Sequence, residues 1–170
     1  MASVKLLPVT LAHLDAYRDE PSELGRLLGS PIPDGWPEFP EAIEFTAEKL
    51  RAHPEQGEWW MHLFLDADSG SLVGSGGFVG PPVDGTVEIG YEVAPAFRGL
   101  GYGSAAAAAL RDKAVASGEV DSVIAHTLAI EGPSTGVLTA LGFERVETLT
   151  HPEEGELWRW RWILSPGSDG

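Results

Sequence analysis

A chain of 170 residues, with 43% hydrophobic and 22% charged side chains, suits one folded domain and is too apolar for general disorder. It has no cysteine, which excludes disulfides, thiolate nucleophiles and cysteine-held zinc, and no apolar run approaches the ~20 residues that cross a bilayer. The formal charge of −15 makes nucleic acid a poor partner; it favours solubility and a cationic acceptor alike.

Met1 to Thr10 lacks a secretory-signal pattern, so a cytoplasmic protein without a membrane partner is expected. Val4 to Pro8 reads as a first strand. Thr10 then caps a helix with Leu11, Leu14 and Tyr17 at helical spacing. A second short helix covers Ser22 to Leu28. Ser30 to Pro40 is rich in proline and carries Trp36 and Phe39, so it is irregular, either a connector or an aromatic-bearing lid. Pro40 to Ala52 resumes a helical period. Trp59 to Asp66 and Ser71 to Val79 form a hairpin across Asp66-Ala67-Asp68-Ser69-Gly70, and Thr86 to Val93 is a further strand.

After Ala94-Pro95-Ala96-Phe97 comes the loop Arg98-Gly99-Leu100-Gly101-Tyr102-Gly103, and then an alanine-rich helix, Ser104 to Ser117. Val120 to Leu128 is a strand, Ser134 to Leu141 a helix ended by Gly142, and Phe143 to Leu149 and Glu156 to Leu164 are the last strands. This order predicts one mixed α/β domain over residues 1–164, with a disordered tail, 165–170.

A strand that runs through glycines into a helix makes an anion site. The first N–H groups of the helix lack intrahelical partners, and the helix dipole places positive charge there. Gly99, Gly101 and Gly103 permit close backbone approach, and Arg98 adds a cation suited to phosphate. The Gly-Lys-Ser/Thr of a Walker loop is missing. Gly101-Tyr102-Gly103-Ser104-Ala105-Ala106 does fit a dinucleotide fingerprint. Yet His126-Thr127 stands where that fold places an acidic residue, and the strands before the loop read as antiparallel.

The stretch Glu88-Ile89-Gly90-Tyr91-Glu92-Val93-Ala94-Pro95, followed by Arg98 to Gly103, resembles the central motif of the GNAT acetyltransferase superfamily. Ala125-His126-Thr127-Leu128, then Ser134, Leu138 and Leu141-Gly142-Phe143, resembles its branch of ribosomal-protein N-terminal alanine acetyltransferases. The resemblance spans Val73 to Trp162. It implies a mixed, mostly antiparallel sheet of about seven strands flanked by helices. It also implies acetyl-CoA as cosubstrate, without metal, and direct attack by a primary amine, either a small molecule or a protein N-terminus. The residues implied to hold CoA are Val93, Arg98, Gly99, Leu100, Gly101, Tyr102, Gly103, Ser104 and Ser134. Two family positions depart: Glu131-Gly132-Pro133 replaces an asparagine that contacts the cofactor, and Leu138 replaces a tyrosine acid. Those departures keep a second reading open, an acyl-CoA-binding module without turnover.

An aliphatic amine, with a lysine-like pKa near 10.4, must lose a proton before it attacks. Glu88 and Glu92 are the candidate bases, four residues apart on one strand and so on one face unless a bulge intervenes. His126 is a further candidate or a half-buried structural histidine. The resemblance places the oxyanion donor at the backbone near Val93 and a hydrogen bond to the leaving thiolate at Ser134, which is otherwise a helix cap. Trp158, Trp160 and Trp162 share a face that is core or a homodimer surface. Family architecture puts Trp36, Trp59 and Trp60 around the acceptor.

Overall fold

The computed structural model describes residues 2–164; the tail expected to be disordered, 165–170, lies outside the described residues. β1 (Val4–Pro8) leads into α1 (Leu11–Asp19), where the Thr10 hydroxyl accepts the His13 N–H and His13 Nδ1 accepts the Thr10 N–H. The two bonds satisfy orphan donors at the helix entry. α2 (Pro21–Leu28) opens on a proline and stops at Gly29, which is left-handed. α3 (Glu41–Ala52) has acidic side chains in its first turn and basic ones in its last, as the helix dipole favours.

β2 (Met61–Asp66), β3 (Leu72–Phe78) and β4 (Thr86–Val93) form an antiparallel meander with β1. α4 (Tyr102–Ala116) crosses over to β5 (Ser122–Leu128), which runs parallel to β4. α5 (Pro133–Ala140), β6 (Glu144–His151) and β7 (Gly155–Ile163) follow. The seven strands take the order β1-β2-β3-β4-β5-β7-β6, so the last strand inserts beside β5.

One sheet face carries α4 and α5. Ala106, Ala107, Leu110 and Ala114 pack there without exposure against Phe64, Val73 and Val123, because alanines let the helix lie close to the strands. The opposite face of the meander carries α1 to α3, through Leu14, Leu24, Ile43, Ala47 and Leu50 against Leu63 and Leu72. Trp160 is buried in the first core, with Trp158 and Trp162 packed beside it, so this tryptophan face is core. Arg145 lies over Trp158 and Arg111 over Trp162, closing the outer edge.

His62 is fully buried on β2. Its Nδ1 lies 3.0 Å from the Trp60 carbonyl and its Nε2 lies 2.8 Å from Lys113 Nζ. The ammonium has only protons to offer, so Nε2 accepts and Nδ1–H donates. Burial first, and the Lys113 charge second, lower its pKa to about 4. The unfolded chain takes up this proton near pH 6.5 and the folded chain only near the lowered value. Stability is therefore full above about pH 6.5 and declines as pH falls toward about 4, by an amount on the order of 3 kcal/mol. Urea titrations at about pH 7 and about pH 5 should show a larger loss for the wild type than for His62→Gln. Equal losses would remove His62 as the cause.

Candidate active site

The parallel pairing of β4 with β5 stops early. It joins Thr86–Ile89 to Ser122–Ala125, yet β4 stays with β3 to Val93 and β5 stays with β7 to Leu128. Beyond Ile89 the two strands part. A cavity of about 320 Å³ lies in the gap, lined by Ile89 to Tyr91, Ala125 to Leu128 and the start of α5, with Leu138 among them.

Strand alternation decides what faces this cleft. The Glu88 carbonyl accepts from Val79 and the Ala94 N–H donates to Val73, so even-numbered residues of β4 bond to β3. The backbone groups of Tyr91 and Val93 therefore point toward β5, where no partner strand remains. The Val93 carbonyl is taken by Arg98 Nε at 2.9 Å. Its N–H is left facing the cleft, as an oxyanion donor must be. Gly74 and Gly76 of β3 hold β4 close, since a Cβ on either would collide with the carbonyl of Glu92 or Gly90.

Side chains divide the other way. Val87 and Ile89 enter the α4 core, while Glu88, Gly90 and Glu92 share the opposite face. The register with β3 runs unbroken from Ile89 to Val93, so the expected exception, a bulge, is absent from that pairing. Gly90 is exposed, and a Cβ there would meet nothing within 4 Å. It opens a window onto the cleft between two carboxylates, each about 7 Å along the strand.

The two carboxylates are held differently. Glu88 Oε2 lies 3.0 Å from His126 Nδ1, and His126 Nε2 accepts from Arg159 Nε at 3.1 Å. A guanidinium has no lone pair to offer, so the ring proton sits on Nδ1 and is directed at Glu88. Arg159 is fixed in turn by Glu147 at 2.7 Å. His126 is thus the centre of a chain across β4, β5, β7 and β6. Glu92 Oε1 instead accepts the Glu38 N–H at 2.8 Å, and burial raises its proton affinity above the ordinary carboxylate range.

The glycine loop forms as expected, with a longer helix behind it. Gly99 and Gly101 adopt positive φ, and α4 begins at Tyr102, two residues earlier than the sequence suggests. Gly101 provides no side-chain cap. The first intrahelical bond recorded, Ala105 N–H to the Gly101 carbonyl, leaves the N–H groups of Tyr102, Gly103 and Ser104 for an anion. The Tyr102 hydroxyl bonds Asp66 at 2.9 Å and ties the loop to the hairpin turn, and Leu100 is exposed. Arg98 reaches away from the loop: besides Val93, its Nη2 lies 3.5 Å from Glu38.

Other expectations are corrected. Trp59 packs on Phe78 and Trp60 on Phe45, on opposite sides of the sheet, so the two do not line one acceptor pocket together. A 3₁₀ turn over Pro54–Trp59 precedes β2 and turns the two rings apart. Trp36 is buried as well, with Nε1 bonded to Ser75 at 2.8 Å, and pins the proline-rich segment beside Glu92. Ser134 lines the cleft but does not cap α5. The helix cap is Gly132, and Thr135 serves it, bonding both its N–H and its carbonyl. Among the described residues, no group of His, Asp or Glu is placed to hold a metal and no helix is long and apolar enough to cross a membrane.

Comparison of the fold with solved structures finds RimL, a ribosomal L7/L12 alpha-N-protein acetyltransferase in complex with coenzyme A. It is 17% identical, covers 95% of this chain and 94% of its own, and has a TM-score of 0.69. A dodecameric spermidine N-acetyltransferase from Vibrio cholerae is 14% identical over 95% of this chain and 94% of its own, at 0.68. An enzyme from Salmonella typhimurium that modifies the N-terminal serine of L7/L12 is 14% identical over 96% of each chain, at 0.67. Such identities speak for the fold. A comparison with curated protein sequences gives no match. The model of the acetyltransferase (GNAT) domain matches residues 4–144, most of the chain and all of the cleft's β4 wall and loop. The chain belongs to the GNAT acetyltransferases and is an acetyl-CoA-dependent N-acetyltransferase.

Proposed function

We propose that this enzyme acetylates a cationic primary amine that approaches through the Gly90 window. The observation that carries this reading is the pair Glu88 and Glu92 flanking Gly90, on the face opposite the CoA loop's helix. In this reading the N–H groups of Tyr102, Gly103 and Ser104 hold the pyrophosphate. The extended arm of acetyl-CoA then takes the place along β4 that β5 vacates, bonding backbone groups of Tyr91 and Val93. Its amides match those donors and acceptors as a strand would.

Glu92 is the general base. Burial keeps its proton affinity high, which suits a group that must accept a proton near neutral pH. The amine nitrogen loses its proton to Glu92, directly or through one water, and forms the new C–N bond to the acyl carbon. The carbonyl oxygen gathers charge beside the Val93 N–H. The C–S bond then breaks, its electron pair leaves with sulfur, and the second nitrogen proton passes through water to that thiolate. Glu88, aimed by His126, attracts the ammonium before it is deprotonated. The chain's charge of −15 favours the same class of acceptor. Polyamines and free protein N-termini both belong to it.

A panel of amines and N-terminal peptides at saturating acetyl-CoA, read by release of free thiol, tests this. Turnover with cationic primary amines that falls as salt rises is expected. Turnover only with neutral or acidic acceptors would refute the acceptor class.

A further inference from the structure

Four residues of the cleft wall carry a hydroxyl: Tyr91, Thr127, Ser134 and Thr135. Two are already committed. Thr127 accepts the Trp160 indole N–H at 3.0 Å and donates to the Leu128 carbonyl, and Thr135 is bonded to Gly132. Ser134 is exposed at the mouth. The Tyr91 hydroxyl alone is both buried and free: among the described residues it is the one buried side-chain polar atom with no hydrogen-bond partner. Leu138, also in the wall, is fully buried and offers no polar atom.

A buried phenol without a partner is costly, and a fold keeps such a group where a ligand will satisfy it. Its place on β4 says which part of the ligand. Ile89 is the last residue paired to β5, and Val93 carries the N–H that faces the cleft, so Tyr91 stands midway along the open stretch. From these observations we infer that Tyr91 is a catalytic residue whose hydroxyl donates a hydrogen bond to the thioester end of the bound acyl-CoA and holds it as sulfur becomes a thiolate. The inference rests on the acyl-CoA reading of the cleft given above.

The group acts as a donor and keeps its proton. Burial pushes the Tyr91 hydroxyl up to about 12, so it stays neutral across the working range. A thiol has a pKa near 8.5 and its anion is too weak a base to deprotonate this phenol. The balance is then simple. The ammonium gives one proton to Glu92, the neutral amine forms the C–N bond, the C–S bond breaks, and the second nitrogen proton passes through water to the thiolate as it leaves under the Tyr91 hydrogen bond.

Tyr91→Phe keeps the ring and removes only the hydroxyl. The free variant should melt about 2–4 °C above the wild type, because an unsatisfied polar group has gone. Its kcat and kcat/KM for acetyl-CoA should fall together by about 10²-fold, the mark of a contact made in the transition state. A raised melting temperature with kcat within about twofold of the wild type would make the hydroxyl a core defect and overturn the inference. So would a lowered melting temperature in the free variant, since the hydroxyl was then satisfied. Wild-type protein that neither melts higher with CoA nor releases thiol would instead overturn the acyl-CoA reading on which this one stands.

Discussion

Replacing Arg98 by glutamate is expected to weaken CoA binding by about 10²–10³-fold while leaving the fold intact. Three sources of positive potential are available to an anion at the loop: the free N–H groups of α4, its dipole, and the Arg98 guanidinium, which is turned toward Val93 and Glu38 and must swing back. The substitution removes the one full charge among them and sets a carboxylate beside Glu38, in a protein already at −15. Arg98 is half-exposed, so its present pairing with Glu38 at 3.5 Å is worth little and a pyrophosphate can draw it off. Two companion variants separate charge from support. Arg98→Gln can still donate to the Val93 carbonyl and should cost about tenfold, whereas Glu38→Gln should strengthen CoA binding by removing the competitor. Calorimetry at two salt concentrations measures all three. Unchanged affinity in Arg98→Glu would leave Arg98 as a clamp on Val93 and nothing more.

The loop was legible because its chemistry is local. Glycines at positive φ and an uncapped helix start need no distant partner to be recognised, and the antiparallel meander follows from short turns. What the sequence withheld depends on strands far apart in the chain. Arg159 meets His126 only because β7 lies between β5 and β6, and nothing local announces that order. The alternation did separate Trp158, Trp160 and Trp162 from Arg159 and Arg161, which put the tryptophans on one face but left core and homodimer surface as alternatives and did not name the neighbours. Trp59 and Trp60 misled for a related reason. Trp59 ends a 3₁₀ turn and Trp60 leads into β2, so the two rings go to opposite sides of the sheet and the pair does not line one pocket. The orphan Tyr91 hydroxyl had no sequence signal at all, because its lack of partners is a property of the assembled cleft.

Glu92→Gln should lower kcat by about 10²–10³-fold with CoA affinity unchanged, whereas Glu88→Gln should cost less than about tenfold. The glutamine oxygen can still accept the Glu38 N–H, so the proline-rich segment stays docked and the loss is chemical. A base works when deprotonated, so kcat/KM should rise with pH through the Glu92 pKa. Burial moves that limb above the ordinary carboxylate range; the Glu38 N–H and the Arg98 charge oppose it, and the Glu38 carboxylate adds to it. The limb should vanish in Glu92→Gln and persist in Glu88→Gln. If the effects are reversed, Glu88 is the base and the His126–Arg159 chain is its support. The two carboxylates also respond differently to the cosubstrate. On the proposed reading Arg98, which lies near Glu92, is drawn toward pyrophosphate when CoA binds, which relaxes the one full positive charge that holds the Glu92 pKa down. Binding of acetyl-CoA is therefore expected to make Glu92 a stronger base as the acceptor arrives. In Arg98→Gln that charge is absent from the start, so the acidic limb of kcat/KM should move to higher pH, toward the limb seen in kcat. A limb that does not move would place Glu92 outside the reach of the loop.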